Sequence, residues 1–312
     1  MPSITRASVR VPADVPAAMR DTYVDNYLKA TRGTGRLMLF ACDQKIEHLN
    51  DDFFGEGISA DDSSPLHLFE IASKGTIGIL AGQRGLISQY AADYPDINYL
   101  VKMNSKTHLV KTSQEDPYSP QLYDLATILD LIENGVNVVG IGYTIYLGSE
   151  YEAQMMTEAS QLIADAHSVG LLVVLWIYPR GKAVSDEKDP HLIAGAAGAA
   201  CCIGADFVKV NPPKKTEAAS SAVLLEEATK AAGRTGLVCA GGSTVDAEVF
   251  LNQLWEQIHI GGAIGNATGR NIHQRPLEEA VRLTKAISAI TLGDAGLPEA
   301  VAVFNGEKDF TV

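Results

Sequence analysis

The sequence lacks the features that mark disulfide frameworks, metal sites and membrane proteins. Its four cysteines show no Cys-x-x-Cys spacing, so buried, reduced thiols are expected in place of disulfides or a metal site. No run of about 18 uncharged apolar residues occurs, and by that length criterion no transmembrane helix is predicted. Residues 1–6 also lack the apolar core of a signal peptide, which predicts a cytoplasmic protein.

Basic residues are the scarcer charged class. The 25 Lys and Arg stand against 38 Asp and Glu, which gives a net charge of −13. Such an excess repels phosphate backbones and anionic lipids, so neither nucleic acid nor a membrane surface is expected as a partner. A small anionic substrate would therefore need a local cluster of lysine, arginine and backbone N–H groups.

Short apolar strands alternate with helical segments along the chain. Each strand is continuously apolar, as is typical of strands buried on both faces. The strands are predicted at Leu37–Cys42, Thr76–Ala81, Asn98–Lys102, Val136–Ile141, Leu171–Ile177, Phe207–Val210, Leu237–Ala240 and Ala263–Gly265. Helices are predicted between them, for example at Gln121–Glu133, Glu150–His167, His191–Ile203, Ala218–Ala232 and Ala247–Gln257.

This alternation predicts an α/β fold of the (β/α)8 TIM barrel type, forming a single domain over residues 1–312. A helix before the first strand, at about residues 15–30, is expected to cap the bottom of the barrel. The alternative is a doubly wound open sheet. A Gly-x-Gly-x-x-Gly turn after the first strand would favour that alternative, and residues 41–45, Ala-Cys-Asp-Gln-Lys, are not such a turn.

Polar residues gather where the predicted strands end, which is where function lies in a barrel. The candidates are Asp43 after strand one, Lys102 at the end of strand three, Trp176, Tyr178 and Arg180 at strand five, Lys209 at strand six, Gly241, Gly242 and Ser243 after strand seven, and Gly269 and Arg270 after strand eight.

Lys209 is the most informative of these candidates. It ends a short β-branched strand that Pro212 and Pro213 stop. At such a buried apolar strand end, desolvation lowers the pKa of a lysine and leaves a neutral amine able to attack a carbonyl. Trp176 and Tyr178 share one strand face and would supply an apolar wall and a proton-donating hydroxyl. The alternatives are a lysine whose amine reaches solvent and two aromatic residues that only pack.

The glycine-rich turns after the last two strands predict a phosphate site. Gly241, Gly242 and Ser243 precede a helix start, and Gly269 and Arg270 add a second turn with a guanidinium. Backbone N–H groups at such turns attract anions, and barrels commonly bind phosphate after strands seven and eight.

Asp43 is expected to orient or balance the lysine ammonium, with a loop carboxylate as the alternative. The histidines show no metal-like spacing, so no metal is expected.

Together these segments resemble the archaeal-type class I fructose-1,6-bisphosphate aldolases, a barrel family that also holds deoxyribose-phosphate aldolases. The resemblance covers about residues 36–275. It rests on Asp43-Gln44-Lys45-Ile46-Glu47-His48, Trp176-Ile177-Tyr178-Pro179-Arg180-Gly181, Gly204-Ala205-Asp206-Phe207-Val208-Lys209, Gly241-Gly242-Ser243 and Gly269-Arg270-Asn271.

The resemblance implies a Schiff base on Lys209, with Tyr178 as the acid and base that moves the proton of the C4 hydroxyl and reprotonates the enamine. It implies that Asp43 and Trp176 shape the site. The turns at Gly241 and Gly269 would hold the phosphate of the dihydroxyacetone phosphate half, and Arg180 and Lys102 are predicted as further substrate contacts. A phosphorylated sugar is the expected substrate, without a metal or other cofactor, and family analogy favours a homo-oligomer of about ten subunits.

Other functions stay open at this point. The chain has Asp-Gln-Lys where the commonest family pattern has Asp-His-Gly, and it resembles methanogen-like members linked to exchange of methylglyoxal into a ketose phosphate for aromatic precursors. A transaldolase-like or aminodeoxyheptulosonate synthase-like enzyme would keep Lys209 and change the acceptor. A non-catalytic barrel that binds a sugar phosphate would need neither Lys209 nor Tyr178.

Overall fold

The structure is a computed structural model that describes residues 3–111 and 115–312. Met1 and Pro2, from the amino-terminal stretch considered above, lie outside these residues. No helix in the described ranges combines the length and the apolar character needed to cross a membrane.

Within the described residues, eight parallel strands close into a barrel in chain order, with β8 paired to β1. The strands are β1 Leu37–Ala41, β2 Ile79–Gln83, β3 Tyr99–Lys102, β4 Val138–Leu147, β5 Leu172–Pro179, β6 Phe207–Val210, β7 Gly236–Ala240 and β8 Gly265–Thr268. The helices are α1 Arg20–Ala30, α2 Gln44–Glu47, α3 Leu66–Lys74, α4 Arg84–Tyr90, α5 Ala126–Glu133, α6 Glu152–Ser168, α7 Pro190–Cys202, α8 Ser221–Ala231, α9 Ala247–His259, α10 Arg270–His273, α11 Leu277–Thr291 and α12 Leu297–Phe304. The predicted (β/α)8 barrel is confirmed.

Strand alternation directs the candidate side chains of β5 and β6 towards the barrel axis. On β5, Trp176 belongs to the inner core and Ile177 to the layer between the strands and the helices. The period of two places Tyr178 on the same side as Trp176. On β6, Phe207 is an inner residue, and Lys209 follows it on that side. Tyr178 and Lys209 therefore continue the column of inner side chains at the carboxyl ends of β5 and β6.

Every strand except β6 differs from its predicted bounds, and the ends of β4 and β8 bear most on the site. We predicted β8 at residues 263–265, whereas it runs to Thr268 because its polar Asn266 is buried and bonded to Thr291 of α11 at 2.9 Å. We predicted that β4 would end at Ile141, but it continues to Leu147. Gly142 does not break β4. A Cβ at that position would lie 2.6 Å from a ring atom of Trp176, so the glycine makes room for the indole.

A buried network of charged groups lies at the amino-terminal ends of β5 and β6. The carboxylate of Asp206 accepts hydrogen bonds from the hydroxyl of Tyr23 at 2.5 Å and from the backbone N–H of Val173 at 2.7 Å. The two ring nitrogens of His167 lie 3.2 Å from Asp206 and 2.8 Å from Asp14. Burial opposes a charge on His167, but its bonds to the two carboxylates prevail and raise its pKa to about 9.

This network predicts a pH-dependent contribution to stability. Because the pKa of His167 is raised in the folded state from 6.5 to about 9, the contribution is complete below pH 6.5 and is lost as pH rises through 9. The difference in unfolding free energy between the wild type and His167→Ala should therefore shrink by about 1.5–3 kcal/mol between neutral and strongly alkaline pH. Denaturant titrations of both proteins at the two pH values measure this difference.

The exposed His191, which lies 2.6 Å from Glu227, provides a control. The His191→Ala variant should stay within a few tenths of a kcal/mol of the wild type at both pH values. A pH-independent difference for His167→Ala would show that His167 is not charged in the folded protein.

Candidate active site

A cavity of about 160 Å³ opens at the carboxyl end of the strands. All the predicted site residues line it except Lys102 and Ser243. Residues that follow β1, β5, β6, β7 and β8 thus meet in one space, as expected for a barrel.

Lys209 lies in the wall of this cavity with 4% of its surface exposed. Its Nζ is 5.1 Å from the centroid of the Trp176 ring, and the two residues are partners across β5 and β6. None of the described residues forms a hydrogen bond with this nitrogen. Burial lowers the pKa of Lys209, Asp43 opposes that change, and the positive charge of Lys102 reinforces it. The site therefore favours the neutral, nucleophilic amine.

Asp43 and Lys102 form a buried ion pair beside this amine. Lys102 Nζ lies 3.4 Å from Asp43 Oδ2 and donates to Thr144 Oγ1 at 2.6 Å. Lys102 is 1% exposed and lies 4.9 Å from the Trp176 ring centroid. Because it does not line the cavity, the structure places Lys102 beneath the site, and its predicted substrate contact would have to run through Asp43.

Asp43 keeps its negative charge in this setting. Burial alone would raise its pKa, but the charges of Lys102 and Lys209 outweigh burial and lower it. Asp43 Oδ1 is buried and lacks a hydrogen-bond partner among the described residues. The same holds for the indole Nε1 of Trp176. Both residues line the cavity, so one acceptor and one donor remain for a bound molecule.

Tyr178 supplies a hydroxyl to the same space. Burial raises its pKa well above 10, and the charges of Asp43 and Glu47 act in the same direction. The phenol is therefore protonated near neutral pH and can donate a proton or a hydrogen bond.

The cavity has a cationic region over β4. Lys106 Nζ and the guanidinium carbon of Arg180 each lie 5.7 Å from the ring centroid of Tyr146 on β4. Arg180 is also bonded to Glu187 at 2.9 Å. Because the strands close in chain order, β4 lies across the barrel from β8, and β6 with Lys209 lies midway between them.

A second polar end follows β7 and β8. Arg270 lines the cavity there, and its Nε is 3.6 Å from Asp52 Oδ2. Gly242 adopts a φ of 70°, a left-handed conformation that favours glycine. Gly241 lines the cavity, but its N–H donates to the carbonyl of Ala267 at 3.2 Å, and this leaves Gly242 and Gly269 as the glycine N–H candidates for an anion.

Asn271 joins the two turns of this end. Its Nδ2 donates to the carbonyls of Gly241 and Ser243 at 2.8 and 3.1 Å, and its Oδ1 accepts from the N–H of Val245 at 3.0 Å. Ser243 itself is exposed, so the structure gives its side chain no place in the cavity wall.

Several lining residues had no role in the sequence-based prediction, among them Glu47 and Tyr146. Glu47 was noted only as a residue that follows strand one. Tyr146 was missed because β4 was expected to end at Ile141, five residues before Tyr146. The signal for Tyr146 was available, since Tyr143–Leu147 continues the β-branched and aromatic run of the strand.

The described residues contain no group of three or more His, Cys, Asp or Glu side chains placed to hold a metal ion. His48 and His108, which line the cavity mouth, each face a carboxylate instead. His48 Nδ1 lies 2.5 Å from Asp52 Oδ2, and His108 Nε2 lies 2.7 Å from Asp51 Oδ2. The His48–Asp52 pair lies within the loop after β1, and the His108–Asp51 pair joins that loop to the loop after β3.

Residues 37–275 match the DeoC/LacD family aldolase. The chain is 57% identical over 306 residues to a protein of Methanocaldococcus jannaschii named fructose-bisphosphate aldolase/6-deoxy-5-ketofructose 1-phosphate synthase, covering 98% of this chain and 97% of that protein.

Two solved structures are also similar. A fructose-bisphosphate aldolase from Slackia heliotrinireducens superimposes with a TM-score of 0.99 at 71% identity, covering 100% of this chain and 98% of that one. An archaeal fructose-1,6-bisphosphate aldolase, described with its catalytic Lys covalently bound to the carbinolamine intermediate of the substrate, gives 0.74 at 27% identity, covering 87% of this chain and 100% of the other. The resemblance found in the sequence is thereby confirmed, and the chain belongs to the DeoC/LacD family of aldolases.

Proposed function

We propose that this protein is a class I fructose-1,6-bisphosphate aldolase that forms a Schiff base on Lys209. The observation that carries the proposal is a desolvated lysine, 4% exposed, in the wall of a barrel-end cavity against Trp176. A lysine with only a structural or substrate-binding role needs no lowered pKa. The names of the Methanocaldococcus and Slackia proteins support this activity, and the covalently bound lysine of the archaeal structure supports the mechanism.

The reaction begins when the neutral amine of Lys209 adds to the C2 carbonyl of fructose 1,6-bisphosphate. The carbinolamine loses water and becomes an iminium. As the C4 hydroxyl loses its proton, the C3–C4 electron pair moves into the iminium, and glyceraldehyde 3-phosphate departs from the remaining enamine. Protonation at C3 and hydrolysis by water release dihydroxyacetone phosphate and restore the amine.

The residues around Lys209 fit separate roles in this sequence. Asp43, held ionised by Lys102 and Lys209, balances the positive charge of the iminium. Tyr178, which rests protonated, donates its proton to the carbinolamine oxygen as water leaves. The phenolate then takes the proton of the C4 hydroxyl as the C3–C4 bond breaks, and returns it to C3 of the enamine. The indole face of Trp176 excludes water from the nitrogen.

The two cationic ends of the cavity fit a sugar with two phosphates. Arg270, Gly242 and Gly269 at the end after β7 and β8 would hold the C1 phosphate. Lys106 and Arg180, across the barrel on either side of Tyr146, would hold the C6 phosphate. Lys209 lies midway, beside C2. Such local donors are needed because the protein carries a net charge of −13 and repels anions at long range.

A second candidate function uses the same site. The Methanocaldococcus relative is also named as a 6-deoxy-5-ketofructose 1-phosphate synthase. In that role the enamine of dihydroxyacetone phosphate would add to methylglyoxal, an aldehyde without a phosphate, and Lys106 and Arg180 would be dispensable. Parallel assays of fructose 1,6-bisphosphate cleavage and of condensation with methylglyoxal decide between the two functions.

Borohydride reduction in the presence of dihydroxyacetone phosphate should inactivate the protein and leave one adduct on Lys209. Lys209→Ala should lose both cleavage activity and adduct, because the covalent step is then missing. Peptide mass spectrometry locates the adduct. Lys102→Met is the comparison, since it removes the other buried cation and should still be labelled at Lys209. An adduct on Lys102 would overturn the assignment.

The C1 phosphate end is tested by Arg270→Ala. Loss of a charged hydrogen bond worth about 1.5–3 kcal/mol should raise KM for fructose 1,6-bisphosphate roughly ten- to a hundredfold. Slow borohydride trapping by unphosphorylated dihydroxyacetone should be nearly unchanged. If Arg270→Ala impaired the reactions of both ketones equally, Arg270 would have a structural role and no contact with the phosphate.

The C6 phosphate end is tested by Lys106→Ala in the condensation direction. KM for glyceraldehyde 3-phosphate should rise roughly tenfold or more, by the same charge-assisted contact, whereas condensation with methylglyoxal should be unaffected. Lys188→Ala, an exposed lysine outside the cavity on the loop after β5, removes the same charge and serves as the control. Equal effects on the two aldehydes would argue against a phosphate site at Lys106.

A further inference from the structure

A buried histidine–carboxyl pair joins the loop after β1 to the turn that follows β8. His273 ends the short helix α10, and Asp62 lies in a 3-10 turn of the loop after β1. His273 Nδ1 lies 2.7 Å from Asp62 Oδ2, and neither side chain has any exposed surface. Phe53 stacks on the His273 ring, with the centroids 4.6 Å and the planes 3° apart. Neither member of the pair lines the cavity, so the pair has no direct contact with a molecule bound there.

The short helix α10 depends on outside contacts for its orientation. It spans only four residues, and a helix of that length has no stability of its own. Gly269, which precedes it, and Arg270, which begins it, are the groups assigned above to the C1 phosphate. The carbonyl of Gly269 accepts a hydrogen bond from the backbone N–H of His273 at 3.1 Å. What fixes His273 therefore also fixes the direction in which Gly269 and Arg270 face.

The loop after β1 is bonded to the same region at further points. The N–H of Ser59 donates to the carbonyl of Gln274 at 2.9 Å, and the side chain of Gln274 donates to the carbonyl of Asp52 at 2.8 Å. Asp52 Oδ2 lies 3.6 Å from Arg270 Nε. The two terminal nitrogens of Arg270 donate no hydrogen bond to a described residue, so they stay available to a phosphate. The loop and α10 thus form one unit, and the Asp62–His273 pair is its buried connection.

A hydrogen bond at this place supplies direction more than stability. Burying a histidine and a carboxyl group carries a desolvation cost that apolar side chains of similar volume do not have. The stack on Phe53 would hold a ring in place but leave it free to turn in its own plane. The bond from Nδ1 to Asp62 fixes that rotation, because hydrogen bonds weaken steeply when they bend.

We propose that Asp62 and His273 are a positioning pair that holds Gly269 and Arg270 in the orientation that binds the C1 phosphate. This inference rests on the proposed function, which places that phosphate at these two residues. The pair acts on binding of the phosphate and not on the covalent step. Lys209 lies on β6, to which neither member of the pair is bonded, so Schiff-base formation with a ketone that lacks a phosphate does not depend on them.

The double variant Asp62→Ala/His273→Phe tests the proposal. It keeps an aromatic ring against Phe53 and removes both polar groups, an exchange that buried polar pairs often tolerate. KM for fructose 1,6-bisphosphate should rise about three- to thirtyfold with kcat within about threefold of the wild type, the range for residues that act on a site through others. Calorimetric titration with inorganic phosphate should show the same loss of affinity. Borohydride trapping by unphosphorylated dihydroxyacetone should be unchanged.

Two further variants separate the hydrogen bond from the packing. His273→Asn loses the ring but places an amide nitrogen where Nδ1 stood, so KM should return to within about threefold of the wild type if the bond is what matters. Asp62→Asn keeps the shape and cannot fail through a large change of volume. Its neutral oxygen is a weaker acceptor than a carboxylate, so KM should rise about two- to fivefold.

His167→Phe is the matched control. His167 is also a buried histidine between carboxyl groups, but it lies at the amino-terminal ends of β5 and β6. Its loss should lower the free energy of unfolding and leave KM for fructose 1,6-bisphosphate unchanged. A loss of stability alone therefore does not reproduce the expected result, and circular dichroism confirms the fold of each variant.

The outcomes separate this inference from the proposed function. If the wild type gives no adduct on Lys209, the Schiff-base function fails, and the phosphate titration still decides the role of the pair. If the adduct forms and neither the double variant nor Asp62→Asn changes KM or phosphate affinity, only the role of the pair fails. Equal impairment of phosphorylated and unphosphorylated ketones in a folded double variant would also overturn it, as would an equal rise of KM in His273→Asn or in His167→Phe.

Discussion

The charge balance among Asp43, Lys102 and Lys209 is the constraint on which the rest of the site depends. Burying two ammonium groups at the end of a barrel carries a large desolvation cost, and one carboxylate cannot offset both. Lys102 takes the direct contacts, to Asp43 and to Thr144. Lys209 is left with the indole of Trp176 and no hydrogen bond to a described residue. Burial and the charge of Lys102 therefore both lower the pKa of Lys209, which is the property that the proposed nucleophile needs.

The closed barrel determines where the cationic side chains lie relative to Lys209. The chain-order closure places β6 midway between β8 and β4. Arg270 stands at one end of this arc, and Lys106 and Arg180 stand at the other, on the ring of Tyr146. Trp176 and Phe207 are the last apolar residues of the inner core on β5 and β6. The polar groups of the site begin directly beyond them. The cavity thereby gathers positive charge in a protein whose net charge is strongly negative.

Most of the barrel could be predicted from the sequence because continuous apolar runs of the right length are a local signal. Lys209, Tyr178 and Trp176 followed from strand ends and period-two alternation. The predicted strand ends were wrong where tertiary packing overrode the local sequence pattern. The predicted end of β4 at Ile141 was too early. Gly142 continues the strand and leaves room for the Trp176 ring, and the error hid Tyr146. Polar Asn266 looked like loop, yet Thr291 satisfies it inside the structure.

The sequence by itself determined the fold, the family resemblance and the identity of the buried lysine, because these depend on residues close together in the chain. Only the tertiary structure decided which polar residues share the cavity. Lys102 and Lys209 are equivalent as strand-end lysines in the sequence, but one lies beneath the wall and the other within it. Glu47 gained a partner only when the loop after β1 met β4 and His108. Beyond a strand end, side-chain direction is set by contacts with distant segments, and no local pattern records them.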